Sequence, residues 1–182
     1  MVATALVAVL VVALALSLSG GGGSGSSLRQ ASTLRLASAL TLRAATAPAP
    51  RESSGNATQL AAAVDGVSFP YWRDHFGWRS TGARTDRIGG RTVTTVFYAD
   101  GQGRRIGYAI VAGVQPHPPS GGVPSVRGGT VYRVLAVNGA AAVVWLRDGH
   151  LCVVSGRGVD SATLLRLASW GESPSASQAS PT

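Results

Sequence analysis

The chain has no lysine, one cysteine and one methionine, and its 182 residues hold only 8 Asp and Glu against 16 basic residues, all of them Arg. Each shortage excludes something. A single Cys closes no intramolecular disulfide, so any domain must be held by its own core, although an exported odd Cys can pair between chains. His75, His117, His150 and Cys152 are strung out without paired ligand spacing, which leaves no metal site to predict. The carboxylates are equally dispersed: Asp100 and Asp148 read as turn residues and Asp160 as a helix cap. The segment "VSGRG" lacks the Gly before its Ser that a nucleophile elbow requires. No catalytic, cofactor-binding or metal-ligating residue is therefore predicted, and an enzyme is not the expected class.

Lacking Lys, the formal charge of +8 is carried by Arg residues scattered singly along the chain. The nearest approach to a patch is Arg104-Arg105 together with Arg84, Arg87 and Arg91. Nucleic-acid binding needs several converging cations interleaved with aromatics, so no nucleic-acid partner is predicted.

Long apolar runs are confined to the N-terminus, where Val2 to Leu18 is uncharged and almost wholly apolar. That length sits at the lower limit for a helix crossing about 30 Å of hydrocarbon, so residues 1–19 are expected to be a transmembrane anchor. A cleaved signal peptide is the rival, with Ser17-Leu18-Ser19 as a small-residue cleavage site but without the usual basic n-region. No Cys follows the run, which excludes a lipoprotein-type anchor. Both readings export the remainder: a single-pass protein of the cell membrane with its C-terminal domain outside the cytoplasm. Arg29 and Arg35 follow the run and nothing basic precedes it, which by the positive-inside rule alone argues the opposite orientation.

Residues 20–63 read as a flexible linker, with "SGGGGSGSS" at one end and "TAPAPRESSGNAT" at the other. Between them Leu34, Leu36, Leu40 and Leu42 line part of a short helix. A phosphate-loop reading of the glycines fails because no Gly-Lys-Ser/Thr follows. All Trp and Tyr residues fall within 64–170, the expected folded domain, and 171–182 reads as a disordered tail.

Turn signals divide that domain into strands. Gly89-Gly90 separates Gly77–Ile88 from Arg91–Tyr98, and Asp100 to Gly103 leads into Arg104–Gly113. Pro116 to Ser125 cannot donate a regular ladder of hydrogen bonds and reads as an exposed loop. Thr130–Val137, Ala140–Arg147 and His150–Gly156 then follow, joined by Asn138-Gly139 and Asp148-Gly149, the strongest short hairpin signals. From Val159 to Trp170, Asp160 caps an amphipathic helix carrying Ala162, Leu164, Leu165, Leu167 and Ala168. The expected class is α+β: about six antiparallel strands in two meanders with a C-terminal helix.

The segment "VVWLRDGHLCVVSG" brings Trp145, His150 and Cys152 close in sequence. Alternation puts His150, Cys152 and Val154 on one face of a strand and Leu151 and Val153 on the other. A two-residue offset leaves His150 and Cys152 roughly 7 Å apart at their roots, too far for a thiol and its base. Cys152 and Trp145 are therefore expected in the core.

Together, "FPYWRDHFGW", "TGARTDRIGGRTVTTVFY", "RRIGYAIVAG" and "WLRDGHLCVVSGRGVDSATLLRLASW" resemble the extracytoplasmic C-terminal domain of membrane-spanning, zinc-finger-type anti-sigma factors. The likeness covers about Leu40 to Trp170 plus the membrane segment, as an order of strands, turns and helix. It implies a sensing or interaction module with an envelope protein or ligand as partner. In that family a cytoplasmic half with a His-x3-Cys-x2-Cys zinc site holds the sigma factor, and no such motif occurs in residues 1–182. The expectation is that Met1 is either a start assigned too late, with an in-frame reading upstream that encodes this half, or the start of a remnant that has lost it. Two rivals stand: an anchored or secreted envelope binding protein without a signalling role, and an exported enzyme.

Overall fold

The computed structural model describes residues 24–115 and 117–171. The expected membrane segment Val2–Leu18 and the tail beyond Gly171 lie outside them. Among the described residues no helix is long and apolar enough to cross a membrane.

In chain order the elements are α1 (Ser24–Leu40), β1 (Gln59–Val64), β2 (Val67–Pro70), α2 (Arg73–Phe76), β3 (Arg79–Ile88), β4 (Arg91–Ala99) and β5 (Arg105–Val111). After a long connection come β6 (Val123–Arg127), β7 (Thr130–Val137), β8 (Ala140–Arg147), β9 (His150–Gly156) and α3 (Ser161–Ala168). Strand is the main component, all of it antiparallel, with a few helices, as an α+β reading requires. The seven-stranded sheet runs β3-β4-β5-β9-β8-β7-β6, so the two meanders join where β5 pairs with β9.

The hairpins follow from local chemistry. Asn138-Gly139 and Asp148-Gly149 both adopt positive φ, at 52° and 74° and at 49° and 77°, the twist that suits right-handed strands. Asp160 accepts from the Thr163 N–H at 2.7 Å and starts α3, whose Leu164, Leu165, Leu167 and Ala168 are buried. Ala162 stays exposed, on the outer side of that helix.

Both faces of the sheet are covered, which is why all of β9 is buried and reads as a continuous apolar run. On one face, Trp145, Cys152 and Val154 pack with Phe69, Trp72, Tyr108 and Tyr132 under the β1–β2 hairpin and α3. Tyr108 stacks between Trp72 and Trp145, at ring separations of 5.8 and 5.3 Å. The Tyr98 hydroxyl donates to the Pro70 carbonyl at 2.9 Å, pinning the hairpin to β4. On the other face, Leu34, Ala37 and Leu40 of α1 meet Val93, Ala109, Val111, Leu151 and Val153.

Three expectations need correction. The described part of the expected linker 20–63, residues 24–63, contains α1 and most of β1. The buried stripe of α1 is Leu34, Ala37 and Ser38, continued by Thr41 just past the helix end, at helical spacing but built largely from small and hydroxyl residues, with Leu40 beside it. Leu36, expected on the same line as Leu34, is 51% exposed. Second, Val123–Arg127, which begins inside the expected loop and runs past its end, is an edge strand, possible for a Pro-bearing segment because only β7 pairs with it. Third, the domain starts before residue 64: Asp65-Gly66, at φ 47° and 87°, turns β1 into β2 as a separate two-stranded sheet.

After α1 the chain forms a strap, residues 41–47, laid across the sheet. It crosses β5 at Gly107, where an added Cβ would stand 2.5 Å from the Thr41 carbonyl oxygen, and β3 at Gly82, where it would stand 2.5 Å from the Ala45 side chain. Beyond the crossing, Ala47 and Ala83 exchange backbone hydrogen bonds, which covers that part of the β3 edge.

A candidate anion-binding cleft

Beside the strap lies a cleft of about 700 Å³, lined by residues 41–45 and by parts of β3, β4, β5 and the turn after β9. Arg43 belongs to the strap, Arg104 and Arg105 to the start of β5, and Arg157 to the turn after β9. Phe97 adds apolar surface, while the Ile106 side chain turns to the opposite face and is buried in the aromatic cluster. Phe97 pairs with Gly107, whose missing side chain faces Thr41, so the Phe97 ring points to the strap side.

Two of these guanidinium groups are already engaged. Arg104 Nε donates to Asp100 Oδ2 at 2.7 Å, and its guanidinium lies 5.7 Å from the Trp78 ring centre. Asp100 also accepts from the N–H groups of Gln102 and Arg104, closing the β4–β5 turn. Burial pushes the Asp100 carboxyl upward, but the bonds from Arg104 and Gln102 outweigh it and hold it below the ordinary value. Arg43 contributes its field to Asp86, whose carboxyl is lowered chiefly by the paired Arg84 guanidinium.

Arg84 forms both bonds of a fork to Asp86 and donates from Nη1 to the Ala44 carbonyl at 2.8 Å. That pair therefore fixes the strap from outside the cleft. Arg105 and Arg157, by contrast, are exposed and have no acidic partner among the described residues. They adjoin across the β5–β9 seam, where Gly156 sits against the Arg105 carbonyl. None of the residues lining the cleft is a carboxylate.

The sequence had grouped Arg104 and Arg105 with Arg84, Arg87 and Arg91. The structure keeps the first two, sets Arg84 to holding the strap, and sends Arg87 and Arg91 to the far turn of the β3–β4 hairpin. That turn is about 20–25 Å away along β4. Arg43 and Arg157 were missed because only the strap crossing and the β5–β9 pairing bring them near Arg105.

The Trp145, His150 and Cys152 cluster is divided by its surroundings. Cys152 is fully buried, with Trp145 as its cross-strand partner. His150 turns to the hairpin end, with Nδ1 2.9 Å from the Asp148 carbonyl oxygen and Nε2 3.3 Å from Asp65 Oδ2. Asp65 also accepts from the Gly113 N–H at 2.9 Å, the first cause of its lowered pKa. His150 and Asp65 thus tie two turns and the connection after β5 together. Among the described residues no three His, Cys, Asp or Glu side chains are grouped to hold a metal.

Chemically, the cleft offers guanidinium groups and apolar surface, a set that holds oxyanions by charge-assisted hydrogen bonds. No protein-family model, curated protein or solved structure matches this chain.

Proposed function

We propose that the chain is a non-catalytic sensing or interaction module, anchored in the membrane by Val2–Leu18 in a single pass and carried outside the cytoplasm, as in anti-sigma-factor-like transcription regulators. The observation that carries this reading is continuity. The segment that follows the apolar run becomes α1, and α1 becomes the strap that walls the cleft. A ligand against Arg43 and Arg105 would thus bear directly on the part of the fold nearest the membrane segment in sequence. A sigma factor would be reached through a cytoplasmic half outside residues 1–182.

Paired C-terminal fusions test the topology. An alkaline-phosphatase fusion should be active and a green-fluorescent-protein fusion dark, both in the membrane fraction; the reverse pattern would overturn the reading. Deleting the gene in its own host should then change transcripts of one sigma-factor regulon. An unchanged transcript profile with the topology intact would favour an envelope binding protein without a signalling role.

A further inference from the structure

We infer that the cleft between the strap and the β5–β9 seam is a binding site for a phosphate ester, a ligand with two or more negative oxygens on an apolar or sugar body. Three separate chain segments bring Arg43, Arg104, Arg105 and Arg157 to one cavity of about 700 Å³, within the size range of small-molecule sites. Guanidinium groups approaching from several directions suit a phosphate, whose terminal oxygens point in several directions, better than the two coplanar oxygens of one carboxylate.

The charge balance points the same way. Arg104 has Asp100 and Arg43 has the field of Asp86, whereas Arg105 and Arg157 face the cleft uncompensated. A bound anion would offset the charge of these two groups. Phe97, whose ring points to the strap side, is why the ligand has a body as well as a charge: inorganic phosphate alone would make no apolar contact with it.

The same phosphate chemistry has two sources, a soluble organophosphate or a phospholipid headgroup. This inference supplies the ligand that the sensing role needs and so extends that reading. It is tested by binding to the purified chain, which the topology fusions do not touch.

The probe is phenyl phosphate, titrated calorimetrically into the full chain in phosphatidylcholine nanodiscs at low salt. It should bind more tightly than inorganic phosphate, through contact with Phe97. Affinity should rise as pH passes about 6, where the second phosphate charge appears, because the Arg side chains remain charged throughout. The double variant R105Q/R157Q should lose about tenfold or more per guanidinium, and R87Q at the far turn should lose nothing. Thermal melting of R105Q/R157Q at or above the wild-type midpoint confirms that the loss is not unfolding.

Equal binding by R105Q/R157Q and wild type, or no preference for phenyl phosphate over inorganic phosphate, would overturn the assignment. Repeating the titration in phosphatidylglycerol nanodiscs separates the sources. Competition that disappears in R105Q/R157Q supports the site with a lipid headgroup as ligand, and undiminished phenyl phosphate affinity supports it with a soluble ester.

Discussion

On one face of the sheet, Trp72, Tyr108, Trp145 and Tyr132 form a continuous aromatic layer beneath a hairpin and a helix; on the other, α1 lays down Leu34, Ala37 and Leu40 over Val and Ala side chains. Large rings bury much area per residue and hold one arrangement, whereas a small-residue helix gains its contact by coming close. The aromatic side is thus the part whose loss unfolds the protein, and the α1 side is the part that can loosen while the sheet stays intact. The cleft opens on the second side, where the cover is thinnest.

The comparison can be broken most severely at Trp145. Trp145→Ala removes the centre of the aromatic layer and should cost about 3–5 kcal/mol, read as a large fall in the thermal midpoint. An unchanged midpoint would mean that the aromatic side does not hold the fold.

Leu40→Ala, on the opposite face, should cost about 2 kcal/mol and mainly locally. Hydrogen exchange should quicken in residues 31–41 while the β8–β9 amides keep their protection. A global midpoint falling as far as in Trp145→Ala would show the two faces to be one cooperative unit.

Asp160→Ala sharpens the contrast from the aromatic side, since it uncaps α3 at a cost of about 1 kcal/mol. Because Cys152 is buried in that same cluster, its thiol should label about fivefold faster in the variant. An unaltered labelling rate would place α3 outside the cooperative core.

The smallest effect belongs to Asp65. Its folded pKa is depressed below 3.8, chiefly by the Gly113 N–H. A depressed carboxyl contributes stability that is present above its unfolded pKa and is lost as pH falls through the folded one. Asp65→Asn keeps the positive-φ turn but should flatten the acid end of the stability profile, below about pH 4. A profile unchanged in slope would remove Asp65 from the tie to His150.

Much of the fold was legible because turn chemistry is local. Asn138-Gly139, Asp148-Gly149 and Asp160 act through their own neighbours, and alternation placed Cys152 and Leu151 on opposite faces correctly. The α1 stripe was read through its leucines, and Ala37, Ser38 and Thr41 carry little hydropathy although all three are buried. Asp65-Gly66 is as good a hairpin signal as the others, but the strand that leads into it, Gln59–Val64, lies almost wholly where Ala-rich composition suggested spacer. The cleft was half visible in Arg104-Arg105. Its other half depends on β5 pairing with β9 and on a strap crossing allowed by Gly82 and Gly107, neither of which has any local signature.

The strap also sets an order of events. Leu34, Ala37 and Leu40 need Leu151 and Val153 to dock against, and those residues leave the ribosome long after α1 does. The part of the domain made first is therefore the part that folds last, after the most distant strand pairing in the sheet has closed. During that interval the α1 side of β5 and β9 stands uncovered, a row of Ala109, Val111, Leu151 and Val153 open to other chains. Crowded synthesis is thus the condition under which this protein is most exposed to misassembly, and the speed with which one Ser- and Leu-rich helix finds its place sets how long that exposure lasts.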